Sequence, residues 1–94
     1  MLKILGHYYK LVKISEDKTD NWGLVHEPTQ TISIRGDLPV EHQEAMVLHE
    51  ILEVLNCLLE LDLSHQTISI LSEILQAVLK DNNVDLSPLL KYDG

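Results

Sequence analysis

Val47-Leu48-His49-Glu50-Ile51-Leu52-Glu53-Val54-Leu55-Asn56 is an apolar run broken by a histidine, two glutamates and an asparagine. Read as a helix, it sets His49 and Glu53 one turn apart on the same side, because residues four apart are neighbours on a helical surface. Glu50 borders that pair, since each residue advances about 100° at roughly 3.6 residues per turn. The pattern is one residue away from H-E-x-x-H, in which two helical histidines hold zinc and the glutamate between them handles the proton of a metal-bound water. Glu53 stands where the second histidine would be.

The helical pattern around this run extends from about 39 to 61. Met46, Val47, Leu48, Ile51, Leu52, Val54, Leu55, Leu58 and Leu59 cover most of its circumference, which predicts burial on several sides. His49, Glu53, Asn56 and Glu60 are spaced four, three and four, so they form one stripe. One account of that stripe is the solvated face of a core helix. Pro39 suits the first turn, and Asp37 is placed to satisfy free amides near the helix start.

Downstream, Asp62-Leu63-Ser64 breaks the helix and Ser64 offers a cap for a second one over about 64–82. Ile68, Leu71, Ile74, Leu75, Val78 and Leu79 recur at helical spacing, predicting an amphipathic helix packed antiparallel to the first. Leu86, Leu89 and Leu90 are docking residues in a tail over 84–94.

Upstream, three strands are predicted, over about 2–14, 22–26 and 31–35. The first is β-branched and aromatic in content, with a kink or turn at Gly6. The third alternates as Thr31-Ile32-Ser33-Ile34-Arg35, and Glu27-Pro28-Thr29-Gln30 joins it to the second as a hairpin. Ser15–Asn21 reads as a polar surface loop. The expected architecture is α+β: a small antiparallel sheet of two or three strands packed on two antiparallel helices, in one domain over 1–94.

Composition narrows the partners. The chain has 94 residues, is 45% hydrophobic and only 4% aromatic, with no Phe, so its core is aliphatic. Fifteen acidic against seven basic residues give a net charge of −8, which argues against a nucleic-acid surface, since phosphate binding needs clustered Lys and Arg. The single cysteine, Cys57, permits no internal disulfide and is expected to be a buried, inert thiol. Met1–Ile14 lacks the apolar core of a secretory signal. Ala45–Leu63, the most apolar stretch, carries His49, Glu50, Glu53, Glu60 and Asp62, so no membrane span is predicted. The expected location is cytoplasmic.

His65 follows Glu53 by twelve residues and a tight link. Such a link can place His65 either near the end of the first helix or, with an angled return, beside the polar stripe; the second case gives a His₂Glu donor set of His49, Glu53 and His65. That composition with an open position is a recognised catalytic zinc arrangement. Glu50 is then free as general base on a zinc-bound water of pKa roughly 7. Amide hydrolysis is the natural reaction class, with a peptide lying along the edge of the strand Thr31–Arg35. His7 and His26, on strands, and His42, in the charged first turn Glu41-His42-Gln43-Glu44, are weaker ligand candidates.

From Thr31 to Asn82 the chain resembles small phage and prophage proteins that are similar to minimal zincin-like metallopeptidases of the ImmA/IrrE type. The likeness is carried by Thr31-Ile-Ser-Ile-Arg35, Leu38-Pro-Val-Glu-His-Gln-Glu44, Val47–Asn56, Leu58-Leu-Glu-Leu-Asp-Leu-Ser-His65 and Leu75-Gln-Ala-Val-Leu-Lys-Asp-Asn82. The resemblance implies a zinc-dependent metallopeptidase with His49 and Glu53 as first and second ligands, Glu50 as the catalytic glutamate and His65 as the ligand after the inter-helix turn. The chain departs from the common pattern in having glutamate at the second position and histidine where the downstream ligand is usually acidic. The alternatives are a non-catalytic phage accessory or protein-interaction domain with a structural metal or none, and a plain α+β domain. A domain this small offers little wall for a substrate, so a homodimer or a protein partner is expected to complete it.

Overall fold

In a computed structural model, residues 1–15 and 21–93 are described; the loop expected over Ser15–Asn21 lies outside them except at its two ends. The chain forms strands β1 (Leu2–Ile4), β2 (His7–Ile14), β3 (Gly23–His26) and β4 (Thr31–Arg35), then helices α1 (Val40–Leu58) and α2 (His65–Asp81). The architecture is α+β, as the sequence predicts.

The sheet differs from the expected one: it has four strands in the order β1-β2-β4-β3 and is mixed. Part of the difference lies at Leu5-Gly6, where φ values of 48° and 84° fold the predicted first strand into an antiparallel hairpin. Gly6 takes the larger positive φ without the steric cost of a Cβ. The rest lies in the route of the chain. β3 runs antiparallel to β4 on its outer side, so β4 returns parallel to β2, with Leu11 opposite Ile32 and Lys13 opposite Ile34. Glu27–Thr29 form one 3-10 turn, closed by Gln30 in the left-handed region, which makes the predicted hairpin.

Strand alternation sets the core. Tyr9 and Leu11 on β2 and Ile32 and Ile34 on β4 point to one face and are fully buried, together with Val47 and Val54 of α1. The Tyr9 hydroxyl donates to Glu27 Oε2 at 3.0 Å. Burial, then the hydrogen bond and charge of Glu27, push that phenol up to about 12.

The start of α1 is held differently from expectation. Asp37 pairs with the Arg35 guanidinium at 3.0 and 2.6 Å, and no side chain caps the helix. Gln43, one turn inside, reaches back instead and donates to the Leu38 carbonyl at 2.7 Å. Ser64 does cap α2, accepting from the Thr67 amide at 3.1 Å. Asn56 brackets the link between the helices, donating to the Leu63 carbonyl and accepting the Leu63 amide.

The helices are antiparallel: Glu53 and His65 meet at one end, Glu44 and Lys80 at the other. Their interface is not the apolar one predicted. α1 turns its polar stripe toward α2, and α2 answers with Ile68 and polar residues such as Ser72, Gln76 and Lys80. Leu71, Ile74, Leu75 and Val78 are left exposed on the outer side of α2. Cys57 is exposed as well, contrary to expectation, because it lies in the last turn of α1 beyond Val54, the last fully buried residue of that helix.

The tail closes the opposite side of the core. Leu86 is buried, Leu89, Leu90 and Tyr92 pack on the cluster, and Asp93 occupies the edge of β2, its amide donating to the Leu11 carbonyl and its carboxylate accepting the Leu11 amide. The Asp93 carboxylate also takes the Met1 ammonium at 3.0 Å. Among the described residues, no helix is long and apolar enough to cross a membrane.

Candidate metal centre

The third and fourth turns of α1 carry His49, Glu50 and Glu53 on the side that α2 and β3 cover. His49 and Glu50 are 5% and 6% exposed, so the stripe is no solvated face at this level. His65, the first residue of α2, is brought over it by the capped, Asn56-bracketed link. The three expected donors converge: one ligand atom from each of His49, Glu53 and His65 lies within 4.8 Å of the other two. Glu53 Oε1 is central, 3.8 Å from His49 Nε2 and 3.6 Å from His65 Nδ1. The imidazoles meet edge to face, with ring centroids 4.8 Å apart.

These separations are too long for hydrogen bonds. They fall near the roughly 3.4 Å that separates two donors bonded at about 2.05 Å to one tetrahedral ion. Glu53 Oε1 is enclosed and accepts no hydrogen bond, which is costly for a buried carboxylate oxygen. A cation between the three side chains would satisfy it. The group could therefore hold a metal ion, and its donor chemistry, two imidazoles and a carboxylate, fits a borderline-soft divalent one. Burial lowers the pKa of His49; the nearby His65 adds to this and Glu53 opposes it. The imidazole is thus kept neutral, the form that ligates.

Glu50 stands beside the group, with Oε1 4.0 Å from His49 Nε2. Its side chain slides beneath the first residue of β3: a Cβ on Gly23 would lie 3.2 Å from Glu50 Oε1 and 3.4 Å from its Cγ. Burial, then the charge of Glu53, push the carboxyl up to about 7. It is therefore poised to exchange a proton near neutrality.

His49, Glu50 and His65 open into a groove of about 550 Å³ between β3, α1 and α2. Trp22 and His42 stack at its rim with ring planes 6° apart and centroids separated by 6.2 Å. Their pairing is not predicted from the sequence, where they lie twenty residues apart: His42 is there only a weaker ligand candidate and Trp22 only the start of the strand over 22–26, whereas β3 begins at Gly23. The other histidines stay away from the centre. His26 Nδ1 is engaged with Thr29 Oγ1 at 2.8 Å, and His7 is exposed on β2. The Thr31–Arg35 strand cannot offer an edge to a peptide, because β4 is paired on both sides; the free edge beside the groove belongs to β3.

Comparison of the chain with known protein families, with curated proteins and with solved structures finds no match.

Proposed function

We propose that this chain is a small zinc-dependent hydrolase of peptide bonds, with His49, Glu53 and His65 as zinc ligands and Glu50 as general base. The observation that carries the reading is the meeting of three donors from two helices around an unsatisfied Glu53 oxygen, next to a buried carboxyl that exchanges protons near neutrality.

Bound zinc supplies a Lewis acid that brings the pKa of a water down to roughly 7. The remaining work falls to the chain. Glu50 accepts the proton of the attacking water as its oxygen bonds to the scissile carbon, then passes that proton to the departing amine as the C–N bond breaks. Gly23 leaves the space in which its carboxyl sits. The free edge of β3 offers backbone groups to an extended peptide, and α2 walls the opposite side.

Elemental analysis of protein purified without chelator tests the metal, with about one equivalent of zinc expected in the native chain and less than about a tenth in His49→Ala. A native value as low as the variant's would sink the reading. Glu50→Gln is expected to keep zinc and lose cleavage; cleavage at the native rate would identify a contaminant.

A second reading, a non-catalytic interaction domain with a structural metal, is favoured by the exposed Leu71, Ile74, Leu75 and Val78 on α2, which suit a protein partner or a second copy of the chain. Zinc at full occupancy without Glu50-dependent cleavage would support it.

A further inference from the structure

The charge and aromatic content of the groove define what side chain it would accept. Glu73 of α2 and Trp22 ahead of β3 both line it, from different elements, and no Lys or Arg does so among the described residues. Glu73 has no ion-pair or hydrogen-bond partner among those residues. The closest cation along its helix face, Lys80, is engaged with Glu44 at 2.9 Å. Deeper in the same groove, Glu50 is more than nine-tenths buried and without a hydrogen-bond partner among the described residues. Trp22 is half exposed and stacked flat on His42, so the indole presents a fixed aromatic surface at the rim. Its carbonyl accepts the Arg35 amide at 3.0 Å, which fixes the backbone that carries it.

An unpaired carboxylate and an aromatic surface in one groove that no lysine or arginine lines, among the described residues, suit a cation on an apolar stem. Arginine fits best: its planar guanidinium stacks on indole while its N–H groups reach a carboxylate. We propose that the groove is selective for peptides bearing an arginine or lysine side chain, with Glu73 as charge partner and the Trp22–His42 pair as the stacking surface. The proposal rests on the groove being the substrate face of the hydrolase proposed above, and it adds the substrate class.

Trp22 is the only tryptophan of the chain, so its fluorescence reports directly on the rim. The probes are two blocked pentapeptides, Ala-Ala-Arg-Ala-Ala and its norleucine counterpart, titrated into the full chain with saturating zinc and again with chelator. The arginine peptide is expected to bind about tenfold more tightly, the combined scale of an exposed ion pair and a cation–π contact. Glu73→Gln is expected to reduce that preference to about twofold or less, whereas Glu60→Gln, the same charge change outside the groove, leaves it intact. Equal binding of the two peptides, a preference that survives Glu73→Gln, or an equal loss in Glu60→Gln would each overturn the proposal. The two readings separate cleanly: zinc uptake without arginine preference removes only the subsite, and arginine preference in a chain that takes up no zinc removes only the hydrolase.

Discussion

Glu53 Oε1 lies 3.6 Å from His65 Nδ1, and this pair joins the last turns of α1 to the first residue of α2. Glutamate sits on the helix where a zinc-binding helical motif ordinarily has its second histidine, and histidine comes from the second helix. In the proposed zinc site the donor set of such a motif is kept while two donors exchange places. Zinc tolerates such an exchange because it has no directional demand from its d electrons; what matters is that three donors converge at the right spacing.

That convergence predicts a metal-dependent stability. A ligand that binds only the folded chain raises stability by about 2.7 kcal/mol at a concentration one hundred times its Kd. The native protein should therefore melt at a higher temperature with zinc than with chelator. His65→Ala should abolish most of the increment. Its side chain is 77% exposed, so the same variant should leave the melting temperature in chelator nearly unchanged. Calorimetric melts of both proteins with and without zinc provide the check. An increment unaffected by His65→Ala would place the metal elsewhere.

Glu50 predicts a pH dependence of the metal-free fold. Its carboxyl holds a proton up to about pH 7 when folded, against an ordinary value of 4.5 when unfolded. Between those values the folded chain binds more protons than the unfolded chain, so stability falls as pH rises, and the loss is complete above about 7. At 1.36 kcal/mol per unit, the effect is on the order of 3 kcal/mol. Glu50→Gln removes it. Urea denaturation in chelator at pH 5 and pH 8 should show the variant gaining on the native chain at the higher pH. A constant difference would mean that Glu50 is solvated as an anion.

Gly23 predicts a coupling between β3 and α1. A methyl group there would meet Glu50 Oε1 at 3.2 Å and Ile34 Cδ1 at 3.3 Å, so both must shift slightly. Gly23→Ala should cost about 1 kcal/mol in the native background. With Glu50→Ala beside it the cost should fall by the share due to the carboxyl, leaving only the contact with Ile34 Cδ1. A double-mutant cycle by urea denaturation measures the coupling, and a cycle with no interaction energy would show that the carboxyl does not occupy this space.

Much of this was readable from residue order. The two helices follow from their periodicity, the second from Ser64 as its cap, and the alternation of Thr31–Arg35 predicts a strand with Ile32 and Ile34 inward. The twelve-residue separation of Glu53 from His65 across a tight turn left His65 either at the end of the first helix or at its polar stripe, and the structure takes the second. What was not readable depends on partners distant in sequence. A strand's pattern does not state the direction of its neighbour, so the parallel pairing of β2 with β4 and the edge position of β3 were hidden. Asp37 found a stronger partner in Arg35 than in the helix amides. The apolar row on α2 was expected to face α1, but α1 presents its polar stripe there. Gly23 as the space for Glu50 and Trp22 as the partner of His42 emerge only once β3 is laid against α1.

The tail predicts a last effect, on the fold rather than on the site. The Tyr92 hydroxyl donates to Gln43 Oε1 at 2.6 Å, while the Gln43 amide nitrogen donates to the Leu38 carbonyl at 2.7 Å. Gln43 is buried, so it transmits the position of the tail to the turn from which α1 starts. Tyr92→Phe keeps the ring against the core and removes only the donor. The amide oxygen left without a partner should cost about 1–2 kcal/mol. Urea denaturation measures that loss. Zinc affinity should be unchanged, because His49 and Glu53 lie on later turns of the helix and His65 on α2. A fall in zinc affinity larger than the fall in stability would show that the beginning of α1 sets the position of its metal-binding turns.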